Sequence, residues 1–214
     1  MELGLDELRC MMAAVSEKII ENEGYLTELD TLIGDGDHGK GMKRGFTALK
    51  DMLSKEEFEE PAALMRASGI ELLKTIGGAS GVLFGTLFIS GVESLNDIRR
   101  VDLMVFAKYM DKGVRSICER GNTAQGEKTM VDALIPAVGA LEAAAKAGLD
   151  LNEGLSVAYS AAAAGAEATK DMIPVKGRAK NFAKKALGVP DPGAVSVTLI
   201  FEAMYEYTSE KEKG

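Results

Sequence analysis

Residues 5–20 read LDELRCMMAAVSEKII, with apolar side chains at Leu5, Leu8, Met12, Val15 and Ile19. That spacing lays one apolar stripe along an α-helix and does not fit a strand, in which inward-facing positions alternate. Asp6 suits the first turn, and Gly24 is placed for a left-handed C-cap. The same period recurs over roughly 40–54, 61–76, 80–94, 101–120, 129–147, 152–171 and 192–208, which predicts about eight helices. Pro61 and Pro192 suit first turns, Asn152 and Asp191 suit N-caps, and Gly77, Gly121 and Gly148 fall where helices should stop. No segment alternates with period two between hairpin turns, so the parallel strands of a Rossmann or P-loop core are not expected.

The expected fold is therefore all-α, with short connections that make neighbouring helices mostly antiparallel. The run Ala158–Ala168, with Gly165 inside it, would let two helices approach closely. At 214 residues without a visible linker, the chain reads as a single domain, 1–214. A composition of 46% hydrophobic and 27% charged residues, with no Trp, suits a soluble helical protein.

A formal net charge of −8 argues against nucleic acid or an anionic membrane surface as a partner, since both repel such a surface. No basic segment followed by an apolar one marks the start for export, and no uninterrupted apolar stretch approaches about 18 residues. The cytoplasm is the expected location. Cys10 and Cys118 lack metal-type spacing and fall in helical patterns, so buried free thiols are expected rather than a disulfide or zinc site.

Four segments resist reading as regular helix: 30–41, 77–81, 121–129 and 173–194. In the first, Asp30, Asp35 and Asp37 precede His38 and are interleaved with Gly34, Gly36 and Gly39. A solvated acidic turn would explain a lone aspartate. Three with interleaved glycines point to hard oxygen ligands for Mg²⁺, which binds a few carboxylates and completes its shell with water and phosphate. A bound cation would make the acidic loop attractive to phosphate. Two commoner motifs fail on the same stretch. Gly34 to Lys40 matches G-x-x-x-x-G-K, but Gly41 stands where a Walker A loop needs Ser or Thr, and no strand precedes it. An EF-hand starting at Asp35 would need an acidic residue where Phe46 stands.

Gly77-Gly78-Ala79-Ser80-Gly81 precedes an apolar helix, so its amides can face an anion and Ser80 can add a hydroxyl; a turn and an N-cap explain the same residues equally well. Gly126, Lys128 and Thr129 lead into another helix, where an ordinary turn with an N-cap is the simpler reading. Lys176 and Arg178 supply positive charge, and Arg178 can grip phosphate oxygens bidentately or stay solvated. Asp191 can cap a helix or accept a hydrogen bond from a sugar or base. His38, the sole histidine, excludes a multi-histidine metal site and a triad with an independent histidine. It can serve as a structural donor, a nucleotide contact or a phosphoryl carrier.

Taken in order, LDTLIGDGDHGKGMKRGF (29–46), GGASGVLFGT (77–86), GEKTMVDALIPA (126–137) and KGRAKNFAKKALGVPDPGA (176–194) resemble the nucleotide-binding subunit of dihydroxyacetone kinases, the DhaL family. The resemblance covers nearly the whole chain. It implies a closed barrel of about eight mostly antiparallel helices, with ADP or ATP held in loops at one end through two Mg²⁺. By matching positions it implies Asp30, Asp35 and Asp37 as metal ligands. His38, Ala79, Ser80, Gly121, Thr129, Met130, Arg178, Asp191 and Gly193 would surround the nucleotide, and no residue is assigned as catalytic. Lys40 and Gly41 depart from the family pattern, which usually has a small or apolar residue and then Asn there. A nucleotide contact is lost unless Lys40 replaces it with direct charge on a phosphate.

The resemblance further implies that the hydroxyketone sits on a separate DhaK-like subunit. It also implies that tightly bound ADP is recharged by a DhaM-like phosphocarrier of the phosphotransferase system. Three alternatives remain open, the first two being a paralogue acting on another short ketose and a nucleotide-charged regulatory module without kinase activity. A metal-stabilised scaffold with no nucleotide is the third.

Overall fold

In a computed structural model of the chain, residues 1–177 and 179–213 are described. Their α-helices are α1 (Leu5–Glu21), α2 (Glu23–Ile33), α3 (His38–Lys55), α4 (Pro61–Thr75), α5 (Gly78–Ser90), α6 (Leu103–Gly121), α7 (Val131–Lys146), α8 (Leu151–Ala168), α9 (Ala183–Ala186) and α10 (Pro192–Lys213). Short 3-10 turns follow α5 and α8 and precede α9. No strand forms among the described residues, only a single bridge between Leu3 and Val101.

Eight of these helices close a ring. Each of α3, α4, α5, α6, α7 and α8 packs on the next, α8 packs on α10, and α1 completes the circle between α10 and α3. Cross-helix pairs give the direction of several neighbours. Lys18 bridges Glu202 and Lys211 bridges Glu7, while Asn152 bonds Glu212 and Tyr159 bonds Glu202. Thus α1 and α8 both run antiparallel to α10. The buried stripe of α1, Leu8, Met11, Met12, Val15 and Ile19, is one wall of a core that also holds Phe46, Phe84, Phe88, Phe106, Tyr109 and Phe201. Where Gly165 of α8 meets α7, an added Cβ would collide with the Asp132 carbonyl oxygen, so the Ala-rich helix can seat this close only with glycine there.

The stretch Gly78–Leu95 is apolar and long enough to cross a membrane by composition, but α5 within it is a barrel stave whose Phe84, Leu87 and Phe88 are buried. The reason for its apolarity is burial between α4 and α6.

Four expectations need correction. Residues 23–33 form a helix, because Asn22 turns the chain at φ −93° and ψ 11° and Gly24 lies inside α2, not at a left-handed cap. The cap of α8 is Asp150, not Asn152: its carboxylate accepts the Glu153 amide at 3.0 Å and the Glu153 carboxylate accepts the Asp150 amide at 2.9 Å. Cys10 is exposed and Cys118 half-buried, since Cys10 lies off the apolar stripe of α1. Segment 173–194 is not one loop, for it contains α9 and the start of α10.

Candidate functional site

The ring brings the starts of α3, α5, α7 and α10 to one end, around a cavity of about 570 Å³. Lining residues come from all four: His38 and Lys40, Gly78 to Ser80, Thr129 and Met130, and Pro192 and Gly193. A helix N-terminus carries unpaired amides and about half a positive charge. The first turns of α3, α5 and α10 contain no acidic residue to offset it. The start of α7 differs, with Asp132 in its first turn, and helix starts gathered in this way can offer their remaining amides to an anion.

The acidic loop is only Gly34–Asp37, because Asp30 lies in the last turn of α2, which ends at Ile33, and His38 begins α3. Asp30 accepts the His38 amide at 3.0 Å, so one carboxylate clamps the loop shut. A side chain at Gly34 would strike that same carboxylate. Asp30, Asp35 and Asp37 all line the cavity. Among the described residues, however, no three metal-ligating side chains are gathered tightly enough to grip one ion by themselves.

The imidazole of His38 reaches across the cavity wall. Nδ1 lies 3.2 Å from Ser80 Oγ on α5, and Nε2 lies 2.8 Å from Ser196 Oγ on α10. Burial pushes its pKa below the usual range, with the Asp30 carboxylate pulling the other way. Ser80 is therefore a first-turn partner of His38 and not a cap.

Gly77 and Gly78, at φ 81° and 59°, turn the chain into α5 through left-handed geometry that side chains resist. Arg44 secures this turn. Its Nε donates to the Thr75 carbonyl at 2.6 Å and its Nη2 to the Ile76 carbonyl, so the guanidinium caps α4 and its charge sits at the cavity wall. Gly41 packs beneath the same place, where a Cβ would come within 3.1 Å of the Ile76 carbonyl oxygen. The Lys40–Gly41 pair thus has a packing reason at Gly41, while Lys40 is exposed on the cavity lining.

Behind the Thr129–Met130 wall, Asp132, 1% exposed, organises the α6–α7 loop by accepting the amides of Gly126 and Thr129. Lys128 is buried beside it. Asp191 caps α10 by accepting the Ala194 amide at 2.8 Å. Burial pushes the Asp191 carboxyl up to about 7; the Ala194 amide opposes this, the Asp132 charge adds to it, and the Lys128 charge opposes it.

Of the residues singled out from sequence, Asp30, Asp35, Asp37, His38, Lys40, Gly41, Ala79, Ser80, Thr129, Met130, Asp191 and Gly193 line this one cavity, as does Lys176. Gly121 does not line it; the residue ends α6, near Leu83, which does. Arg178 lies outside the described residues. Sequence reasoning missed Arg44, Asp132 and Ser196. Asp132 alone left a signal, three residues after Thr129, where a carboxylate can fold back onto a helix-start amide.

A family profile described as the DAK2 domain matches residues 32–206. The PEP-dependent dihydroxyacetone kinase 1, ADP-binding subunit DhaL, of Listeria innocua is 35% identical over 190 residues, 89% of this chain and 90% of that protein. The PEP-dependent dihydroxyacetone kinase, ADP-binding subunit DhaL, of Escherichia coli is 34% identical over 180 residues, 84% of this chain and 86% of that protein. Among solved structures, the dihydroxyacetone kinase of C. freundii in complex with AMP-PNP and Mg²⁺ matches with a TM-score of 0.76 and 27% identity. That match covers 96% of this chain and 34% of the larger kinase, so the chain spans about a third of its length.

Proposed function

The chain belongs to the DAK2-domain family, and from that membership and the chemistry of its cavity we propose that it is the ADP-binding, phosphoryl-transfer subunit of a dihydroxyacetone kinase. The observation that carries the reading is the convergence of four helix N-termini and three aspartates on one cavity. The backbone ends suit phosphates, and the carboxylates suit the hard cations that accompany phosphates. An incomplete carboxylate set fits Mg²⁺, which keeps water and phosphate oxygens among its ligands.

Asp30, Asp35 and Asp37 hold the metal, two ions in this reading. His38, Lys40, Gly41, Ala79, Ser80, Thr129, Met130, Asp191 and Gly193 surround the nucleotide, with Gly121 and Arg178 assigned by family likeness alone. When bound, the magnesium–nucleotide supplies the phosphoryl group and neutralises its charge. The chain contributes position: Asp30 keeps the acidic loop closed on His38, Arg44 fixes the Gly77–Gly78 turn, and Asp132 fixes the Thr129 amide. No side chain here needs to act as a nucleophile, in keeping with phosphoryl transfer that runs on alignment and electrostatics.

Dihydroxyacetone is held by a DhaK-like partner subunit that docks at the open end. The donor is a DhaM-like phosphocarrier, as the PEP-dependent relatives suggest, and the location is cytoplasmic. The test is to denature the purified protein and chromatograph what it releases. ADP surviving extensive dialysis and recharged by a PEP-driven carrier is the expected result. Release of no adenine nucleotide, together with no Mg²⁺-dependent ADP binding by calorimetry, would overturn the reading.

A further inference from the structure

Among the described residues Lys128 and Asp132 are charged side chains almost wholly buried, at 2% and 1% exposure. Removing an ammonium from water is costly, and a methionine would fill the same volume without that cost. The backbone at Lys128 is also strained, with φ 58° on a residue that is not glycine. A charge kept in such a place calls for a reason beyond packing.

Its contacts supply one. Lys128 Nζ donates to the carbonyls of Thr169, at 2.5 Å, and Val189, at 2.7 Å. These two carbonyls stand at the two ends of residues 170–188. The ends meet there: the Gly188 amide donates to the Lys170 carbonyl at 2.9 Å, and the Asp191 amide to Thr169 Oγ1 at 2.8 Å. Lys128 thus ties the neck of a long excursion. Immediately after Lys128 the chain enters Thr129 and Met130 at the start of α7, and two residues after Val189 it enters Asp191, Pro192 and Gly193 at the start of α10. All five line the cavity, as does Lys128, whose ammonium is taken up by the two carbonyls.

We infer that Lys128 is a positioning residue for the bound nucleotide: its buried ammonium locks the neck of the 170–188 excursion to the α6–α7 loop and so fixes the two helix N-termini between which the ligand lies. The inference rests on the nucleotide reading given above. The lock acts through backbone carbonyls and reaches the ligand by holding Thr129–Met130 and Asp191–Gly193 at a set separation. Burial pushes the Lys128 ammonium below its usual pKa range, and the nearby Asp191, Asp171 and Asp132 oppose that shift.

The test compares the full chain with Lys128→Met, Lys128→Arg and Thr169→Val. Calorimetry with ADP and excess MgCl₂ is run well below each melting temperature, and amide hydrogen exchange is followed on the same proteins. Lys128→Met keeps an apolar stem and the strained backbone and removes the ammonium, with its charge and its two hydrogen bonds. It is expected to weaken ADP binding at least tenfold and to speed exchange in 124–130 and 186–194 with little change elsewhere. Lys128→Arg, which keeps charge and donors, is expected to restore most of the affinity, and Thr169→Val to show a smaller loss in the same direction.

Wild-type affinity in Lys128→Met, or faster exchange spread over the whole chain, overturns the inference while leaving the nucleotide reading intact. If Lys128→Met does not fold, Lys128→Gln, which also removes the charge, is measured in its place, and wild-type affinity there overturns the inference. Failure of the unaltered chain to bind Mg²⁺–ADP removes the nucleotide reading, and the inference with it.

Discussion

His38 Nε2 lies 2.8 Å from Ser196 Oγ, and the Ser196 hydroxyl already donates its one proton to the Pro192 carbonyl at 2.9 Å. The nitrogen must therefore be the donor, which leaves Nδ1 to accept from Ser80. One hydrogen-bonded line runs from α5 through the histidine to α10 and sets the imidazole as the neutral Nε2–H tautomer. Because His38 is the sole histidine, a long-range ¹H–¹⁵N spectrum holds one set of imidazole signals. Those signals are expected to report Nε2–H at pH 7.5, and an Nδ1–H pattern would sink the assignment. Ser196→Ala deletes a buried partner and is expected to cost about 1 kcal/mol, a fall of roughly 2–4 °C in melting temperature. Ser80→Ala, at the half-buried cavity edge, should cost less.

Asp191 gives a pH dependence with a defined sign. Its carboxyl moves from an ordinary 3.8 to about 7 on folding, so between these values the folded chain holds a proton that the unfolded chain has lost. This group's contribution to stability is complete below pH 3.8 and is lost as pH rises through about 7. For one proton the folding equilibrium changes by at most about tenfold per pH unit. Asp191→Asn keeps a cap acceptor for the Ala194 amide and removes the titration. In the ligand-free protein, urea melts from pH 4.5 to 8 are expected to fall less steeply for the variant, which should be the more stable of the two at pH 8. Parallel curves for the two proteins would contradict the buried-carboxyl reading.

Gly165 links packing to the site. A Cβ there would collide with the Asp132 carbonyl, and the Asp132 side chain holds the amides of Gly126 and Thr129. Backbone cannot yield as a side-chain tip can, so Gly165→Ala is expected to cost about 1–3 kcal/mol as an overpacked contact. The associated amide shifts should reach Gly126 and Thr129 in an ¹H–¹⁵N spectrum. A variant that melts like the parent, with changes confined to α8, would show that the helices can separate without disturbing the loop.

The helices were legible in the sequence because most carry an apolar stripe over several turns, whereas their closure into a barrel was expected only from the resemblance to the DhaL family. What escaped was short or non-local. In α2, Leu26, Leu29 and Ile33 are buried, but a helix of eleven residues with Gly24 second in it gives too brief a pattern to stand against a glycine that reads as a stop. The α8 cap was misplaced by two residues because Asn152 and Asp150 are both good caps; Glu153, three residues after Asp150, was the deciding signal. In the site, the aspartates and glycines stood out because local spacing carries their chemistry. Arg44 did not, since an arginine in mid-helix reads as solvated until the Thr75 and Ile76 carbonyls appear beside it. Lys128 was legible as a neighbour of a helix start, but its burial depends on Thr169 and Val189, far along the chain.

The acidic loop yields the last prediction, in which stability and ligand binding separate. A ligand that binds only the folded chain stabilises it by about 2.7 kcal/mol when present at 100 times its dissociation constant. For a chain of this size that corresponds to a rise of roughly 5–10 °C in melting temperature. ADP with Mg²⁺ is expected to produce such a rise and ADP with EDTA to lose most of it. Asp37 is exposed and its side chain makes no cap hydrogen bond to α3, so Asp37→Asn should leave the ligand-free melt within about 0.5 kcal/mol of the parent, and Asp35→Asn is compared with it for ligand binding. Each variant should lose most of the Mg²⁺–ADP shift. Asp30→Asn differs, because its carboxylate also holds the His38 amide. It should lose the shift and about 1 kcal/mol of ligand-free stability as well. A full Mg²⁺–ADP shift in all three variants would show that the carboxylates close the loop without holding a metal, and the phosphate would then be left to the helix N-termini and the basic groups at the cavity wall.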